Sequence, residues 1–151
     1  MHQEKLVKFT KIILILMFCS GILSVATLPL SLRWLEEYFL FLRIDQLYFH
    51  MLAVLTFAGI FGILILYQLI KMLKTVEAHD CFVLSNVASL KKMGVFSFVI
   101  SFAFLVKLLF RATPATMILV LTFFVAGLFC YVLAFVFREA IQYKEENELT
   151  I

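Results

Sequence analysis

Four long apolar stretches dominate the chain and are separated by short polar segments. They cover about residues 12–32, 46–70, 93–110 and 116–137, and Lys107 is the one charged residue within them. Each is close to the roughly 20 residues that an α-helix needs to cross the hydrocarbon core of a bilayer. The apolar residues follow one another without a two-residue alternation, which favours helices over barrel strands. The pattern predicts an all-α integral membrane four-helix bundle, a single four-span domain over residues 1–151.

Composition agrees with this class. The chain is 64% apolar and only 15% charged, with a mean hydropathy of +1.07. A soluble globular domain is typically about 45–50% apolar and about 25% charged. A water-soluble fold is therefore excluded.

The basic residues are divided unequally between the polar segments. Nine fall before the first stretch, between the second and third, or after the fourth: Lys5, Lys8, Lys11, Lys71, Lys74, Lys91, Lys92, Arg138 and Lys144. The remaining four are Arg33, Arg43, Lys107 and Arg111. The positive-inside rule therefore predicts that both termini, the loop 71–92 and the tail 138–151 are cytoplasmic.

The first apolar stretch has a competing interpretation as a signal peptide. Lysines precede it, and Ser24-Val25-Ala26 resembles a cleavage site. The apolar run continues to Leu32, which favours a retained span.

Small residues at four-residue spacing predict the faces on which the helices pack, because helices in lipid associate through close backbone approach. Every span contains such a set. The sets are Ser20 and Ser24; Ala58 and Gly62; Ser97 and Ser101; and Ala126, Cys130 and Ala134.

The segment 33–45 is amphipathic and predicts a helix on the outer membrane surface, with Trp34 and Tyr38 at headgroup level. Two interpretations stay open for it, a lid over an external ligand and a simple connector. Lys107 lies one turn before Arg111 near the outer end of its span. We expect it to extend to water or to pair with one of the acids Glu36, Glu37 and Asp45.

No pattern typical of catalysis is found. A nucleophile beside a base, paired carboxylates within a span, a glycine-rich phosphate loop and His-Glu-x-x-His are all missing from the sequence. His50 has no second histidine within helical reach, and Cys19, Cys81 and Cys130 are far apart. We therefore predict no enzyme activity, no cofactor and no metal. A net charge of +3 is too small to indicate direct nucleic acid binding.

The second half of the chain resembles a known family. Tyr67-Gln68, Phe82, Asn86-Val87 and the ending Glu146-Asn147-Glu148-Leu149-Thr150-Ile151 are similar to a bacterial membrane-protein family catalogued as domain of unknown function 2975. This resemblance, best over residues 67–151, implies a four-helical protein of the bacterial plasma membrane without an established activity. It also implies a partner, because family members often look like genomic neighbours of a small Cro-like helix-turn-helix regulator. Members usually carry a capping Ser or Thr where this chain has Val83, so we expect Asp80 to cap the third helix.

Two function classes remain open at this stage. One is a non-enzymatic regulatory partner that binds or sequesters a helix-turn-helix regulator at its cytoplasmic face. The other is an outer-face binder of a small molecule, lipid or peptide, for example a bacteriocin self-immunity protein. For the first class, the predicted partner-binding residues lie in the central loop and the tail: Lys91, Lys92, Glu145, Glu146, Glu148, Leu149 and Ile151. The oligomeric state is left open.

Overall fold

The computed structural model describes residues 2–38 and 48–150, and this part of the chain consists of four helices and two short connections. The helices are α1 (His2–Tyr38), α2 (Tyr48–Glu77), α3 (Leu84–Phe110) and α4 (Pro114–Leu149). All four are long and apolar enough to cross a membrane, and no strand occurs among these residues. The predicted all-α membrane fold is confirmed.

Each helix continues beyond its apolar stretch. The segment 71–92, predicted as a loop between spans, is helical except for residues 78–83. α2 ends where His79 adopts a left-handed backbone (φ 57°), and the N–H groups of His79 and Asp80 donate to the carbonyls of Val76 and Thr75. This is the Schellman arrangement that commonly ends a helix, here with a histidine in the position that glycine usually takes.

Asp80 does not cap α3, contrary to our expectation. The N-cap residue is Val83, whose side chain makes no capping hydrogen bond, and Asp80 accepts a hydrogen bond from Lys144 instead. Asn86, in the first turn of α3, holds the connection through the carbonyl of Cys81. By contrast, α4 begins conventionally, with Thr113 accepting from the Thr116 N–H and Pro114 in the first turn.

The helices pack in the order of the chain. Close backbone approach among the described residues occurs between α1 and α2, α2 and α3, and α3 and α4. α2 and α3 therefore each pack against two helices, and α3 has the most buried residues in the described part of the chain. One core cluster contains Val87, Leu90, Ala134 and Ile141, and another contains Ala58, Ile100 and Phe104.

The small-residue prediction is confirmed for α3 and α4 and is wrong for α1. Ser97, Ser101, Cys130 and Ala134 are buried, and the Ser101 hydroxyl donates to the carbonyl of Val120 at 2.9 Å. On α1, however, Ser20 and Ser24 are exposed. The face toward α2 contains Gly21 and Val25, which contact Ile63 and Gly59 respectively.

Two ion pairs bring both terminal helices to the α2–α3 connection. Lys11 on α1 binds Glu77 on α2 at 2.7 Å, and Lys144 on α4 binds Asp80 at 3.1 Å. We call this end of the molecule, comprising residues 2–11, 71–92 and 138–150, the basal end. It is the end that the positive-inside rule predicts to be cytoplasmic.

Candidate interaction surface at the basal end

The last part of α4 extends beyond the apolar core as an exposed charged helix. The apolar run ends at Phe137, whereas the helix continues to Leu149. These 12 further residues, Arg138–Leu149, add about 18 Å at 1.5 Å per residue. Ile141 is the last buried residue, and every residue from 142 to 150 is exposed. We call residues 138–149 the α4 arm.

Contacts with the α2–α3 connection hold the base of the α4 arm. The rings of Phe82 and Phe137 lie 5.3 Å apart between centroids, and Ile141 packs in the core cluster with Val87. Further out, Lys144 donates to Asp80. The arm therefore leaves the bundle in a defined direction, while its distal part is free of contacts with the core.

Asn86 organises the connection that supports the arm. Its side chain is 1% exposed, and its Nδ2 donates to Thr75 Oγ1 at 2.6 Å and to the carbonyl of Cys81 at 2.7 Å. These bonds join the end of α2, the connection and the start of α3. In the sequence, Asn86 stands out only as part of the family resemblance, and no role is predicted for it. The sequence does contain one indication of this role. Asn86 is a polar residue in the first turn of α3, and α3 has no capping side chain at its N-terminus.

The structure places the predicted partner-binding residues on the surface of the basal end. Glu145, Glu146 and Glu148 are exposed on the α4 arm, Leu149 is 87% exposed, and Lys91 and Lys92 are exposed on α3. Ile151 lies outside the described residues. The ion pair that links tail and connection is Lys144 with Asp80, so here the tail supplies the cation and the connection supplies the acid.

The N-terminal part of α1 completes the basal end. Lys11 donates to both carboxylate oxygens of Glu77, at 2.7 and 3.0 Å. Beside this pair lies a polar groove of about 430 Å³, lined by residues that include Gln3, Lys8 and His79. The basal end thus presents a broad polar surface next to the more acidic α4 arm.

At the opposite end, Lys107 interacts with α4. Its Nζ donates to Thr116 Oγ1 at 3.3 Å, and Thr116 is 1% exposed and also bonded to Thr113 Oγ1 at 2.7 Å. Of the acids expected to pair with it, Asp45 and the side chain of Glu36 lie outside the described residues. Residues 33–38 of the predicted outer surface segment belong to the end of α1, and its remainder also lies outside the description.

Among the described residues, no group of three or more His, Cys, Asp or Glu side chains is placed so that it could hold a metal ion. The basal end instead contains the α4 arm, a protruding helix with charged and apolar side chains on its surface. Such a surface is suited to contacts with another macromolecule.

One family model matches most of the chain. The model of a family described as a protein of unknown function (DUF2975) matches residues 25–151. The chain therefore belongs to this family. The match begins well before the residues 67–151 on which the resemblance was best. No curated protein and no solved structure matches the chain.

Proposed function

We propose that the protein is a non-enzymatic regulatory partner in the bacterial plasma membrane, which binds and sequesters a small helix-turn-helix regulator at its cytoplasmic face. The observation that carries this proposal is the α4 arm, an exposed helix that projects from the four-helix bundle and is held at its base. The family resemblance to proteins encoded near such regulators supports the choice of partner.

The chemistry of the α4 arm fits a basic protein partner. The arm contains four acids, Glu139, Glu145, Glu146 and Glu148, and two basic residues, Arg138 and Lys144. Tyr143 is 66% exposed, so an aromatic side chain accompanies the acids. Helix-turn-helix domains use basic surfaces to contact phosphate, and an acidic helix on that surface would compete with DNA.

The contact that holds the outer part of the arm is easily exchanged. The side chains of Lys144 and Asp80 are 49% and 54% exposed. Exposed ion pairs contribute little to stability because water and salt screen them. A partner could therefore replace Asp80 at Lys144 without disturbing the core.

Co-purification with a small helix-turn-helix regulator tests the proposal. The regulator is co-expressed with the full-length chain, with a chain that lacks residues 147–151, and with the triple variant Glu145→Gln, Glu146→Gln, Glu148→Gln. We expect membrane insertion and detergent stability to be unchanged and capture of the regulator to be lost in both variants. Glu4→Gln, an exposed acid on α1 outside the arm, is the matched control and should retain capture.

Two outcomes would contradict the proposal. Capture by both the truncated chain and the triple variant would show that the α4 arm is not the binding element. If the full-length chain captures no regulator and responds only to a ligand added outside the cell, the outer-face binder replaces the regulatory partner.

A further inference from the structure

The polar groove at the basal end lies between the N-terminal part of α1 and the end of α2. We call it the basal groove. Its volume of about 430 Å³ is within the range of about 300–1,000 Å³ that is usual for sites of small ligands. Glu4 and Lys8 line it from α1, and Glu77 and His79 line it from α2. The basal groove therefore offers both acceptors and donors to a ligand.

Two of these charged side chains have no protein partner. Lys11 already neutralises Glu77, at 2.7 Å. Glu4 and Lys8 are exposed and lie four residues apart on α1, a spacing that places them on one face of the helix. Among the described residues, neither takes part in an ion pair. A carboxylate and an ammonium group that both stay unpaired in one groove fit a ligand that itself carries both charges.

His79 adds a donor from the α2 wall. The end of α2 fixes its backbone, because the His79 N–H donates to the carbonyl of Val76 at 3.1 Å in the left-handed turn. An imidazole ring has at least one N–H group in either protonation state. An anionic group in the basal groove can therefore accept from Lys8 on one wall and from His79 on the other.

The basal groove lies at the depth of the lipid headgroups. The apolar run of α1 starts at Ile12, and Lys8 is about one turn, or about 6 Å, outside it. The headgroup layer on each side of the hydrocarbon core is about 5–8 Å thick. Glu4 lies one further turn outward, toward water. In phosphatidylethanolamine the phosphate is likewise nearer the membrane core than the ammonium group, so the two charges on α1 have the order that this headgroup requires.

We propose that the basal groove binds the headgroup of one phosphatidylethanolamine molecule from the leaflet at the basal end. The phosphate accepts from Lys8 and His79, and the ammonium group donates to Glu4. Val7 and Val76, the apolar residues of the lining, contact the carbon atoms of the headgroup. The site is independent of the α4 arm, so the two proposals can fail separately.

Retention of phospholipid by the purified protein tests this site. The protein is reconstituted in vesicles with equal amounts of phosphatidylethanolamine and phosphatidylglycerol, transferred to a mild detergent, and analysed by native mass spectrometry. Phosphatidylglycerol is the control lipid, because it has the phosphate but no ammonium group. Glu4→Gln and Lys8→Gln change the two unpaired charges of the basal groove. Lys5→Gln, at an exposed lysine of α1 outside the lining, is the matched control.

We expect the wild type and Lys5→Gln to retain one phosphatidylethanolamine per chain, in preference to phosphatidylglycerol by about fivefold. This factor corresponds to the roughly 1 kcal/mol that an exposed ion pair can contribute. Glu4→Gln should abolish the preference by weakening only the retention of phosphatidylethanolamine. Lys8→Gln should weaken the retention of both lipids about fivefold, because both contain the phosphate.

Equal retention of the two lipids by the wild type, or a preference that survives in Glu4→Gln, would overturn the proposal. A parallel sample of lipid-free protein receives soluble phosphoethanolamine, which has the same charged groups without acyl chains. We expect the soluble compound to be retained less than the lipid. Its retention by a protein that keeps no phospholipid would show that the ligand is a soluble compound and that the assignment to a membrane lipid is wrong.

Discussion

The ring of Tyr131 on α4 covers Gly94 on α3 so closely that a Cβ atom on Gly94 would lie 2.7 Å from Tyr131 Cδ2. The relationship is reciprocal, because the ring of Phe98 on α3 covers Gly127 on α4 in the same way, at 2.9 Å. The two rings stack on each other with centroids 5.8 Å apart. Two glycines and two aromatic rings thus form the middle of the contact between the most closely packed pair of helices.

Gly94→Ala should destabilise the bundle by about 1–3 kcal/mol, the usual cost of overpacking a tight contact. The loss should exceed the gain in helix propensity of up to about 1 kcal/mol. Gly62→Ala is the matched control, since a Cβ there meets no atom within 4 Å. Unfolding of the purified protein in mixed detergent micelles measures both changes. If the two variants unfold alike, the close α3–α4 contact is not present in the membrane-derived protein.

Asn86→Asp should destabilise the basal end, because a carboxylate cannot donate to Thr75 Oγ1 and the Cys81 carbonyl as the amide does. We expect a loss of about 1–3 kcal/mol, the cost of leaving buried acceptors unpaired. Ser85→Ala, at the exposed neighbouring position, should change the free energy of unfolding by less than about 0.5 kcal/mol. If the Asn86→Asp variant is as stable as the wild type, the two hydrogen bonds of Asn86 do not stabilise the basal end.

The sequence was sufficient to predict four helices in the membrane, since apolar length alone decides this feature. It was less informative about where α1, α2 and α3 begin and end. For α4 the sequence indicates the extension, because residues 138–149 contain neither glycine nor proline and nothing local stops the helix at the membrane surface. The end of α2 depends on a left-handed backbone at His79, a position where sequence alone would favour glycine.

The helix faces were predictable at the most closely packed contact, that of α3 with α4. α3 packs against two helices, and its small polar stripe at Ser97 and Ser101 is buried. α1 packs against α2 alone, so most of its surface is exposed. Two faces of α1 contain small residues, and either could pack against α2. The structure selects Gly21 and Val25 over Ser20 and Ser24, a choice that depends on the shape of α2 around Gly59.

Lys107→Met should change stability by less than about 1 kcal/mol. Thr116 keeps its shorter bond to Thr113 Oγ1 at 2.7 Å when the 3.3 Å contact with Lys107 is lost. Thr116→Val removes both interactions from a buried position and should cost about 1–2 kcal/mol. Thermal unfolding of the two variants gives the comparison. A larger loss in Lys107→Met than in Thr116→Val would contradict this ranking and make the lysine a principal contact of the α3–α4 junction.

The orientation of the bundle is testable with reporter fusions after Asp45 and after Asp80. Nine basic residues on one side against four on the other predict that the fusion after Asp80 is cytoplasmic and the fusion after Asp45 is external. Paired alkaline phosphatase and fluorescent protein reporters should give opposite signals at the two sites. The same signal at both sites would show that the basal residues do not set the topology.

Photocross-linking in living cells tests most directly whether the α4 arm is the binding surface. A photoreactive amino acid replaces Tyr143 on the arm or, as the matched control, Phe129 in the apolar part of the same helix, which is 61% exposed. We predict a cross-link to a co-expressed helix-turn-helix regulator from position 143 and none from position 129, with the adduct lost when Glu145, Glu146 and Glu148 are changed to Gln. The absence of an adduct at position 143 in cells that contain both proteins, or equal adducts at the two positions, would contradict the account.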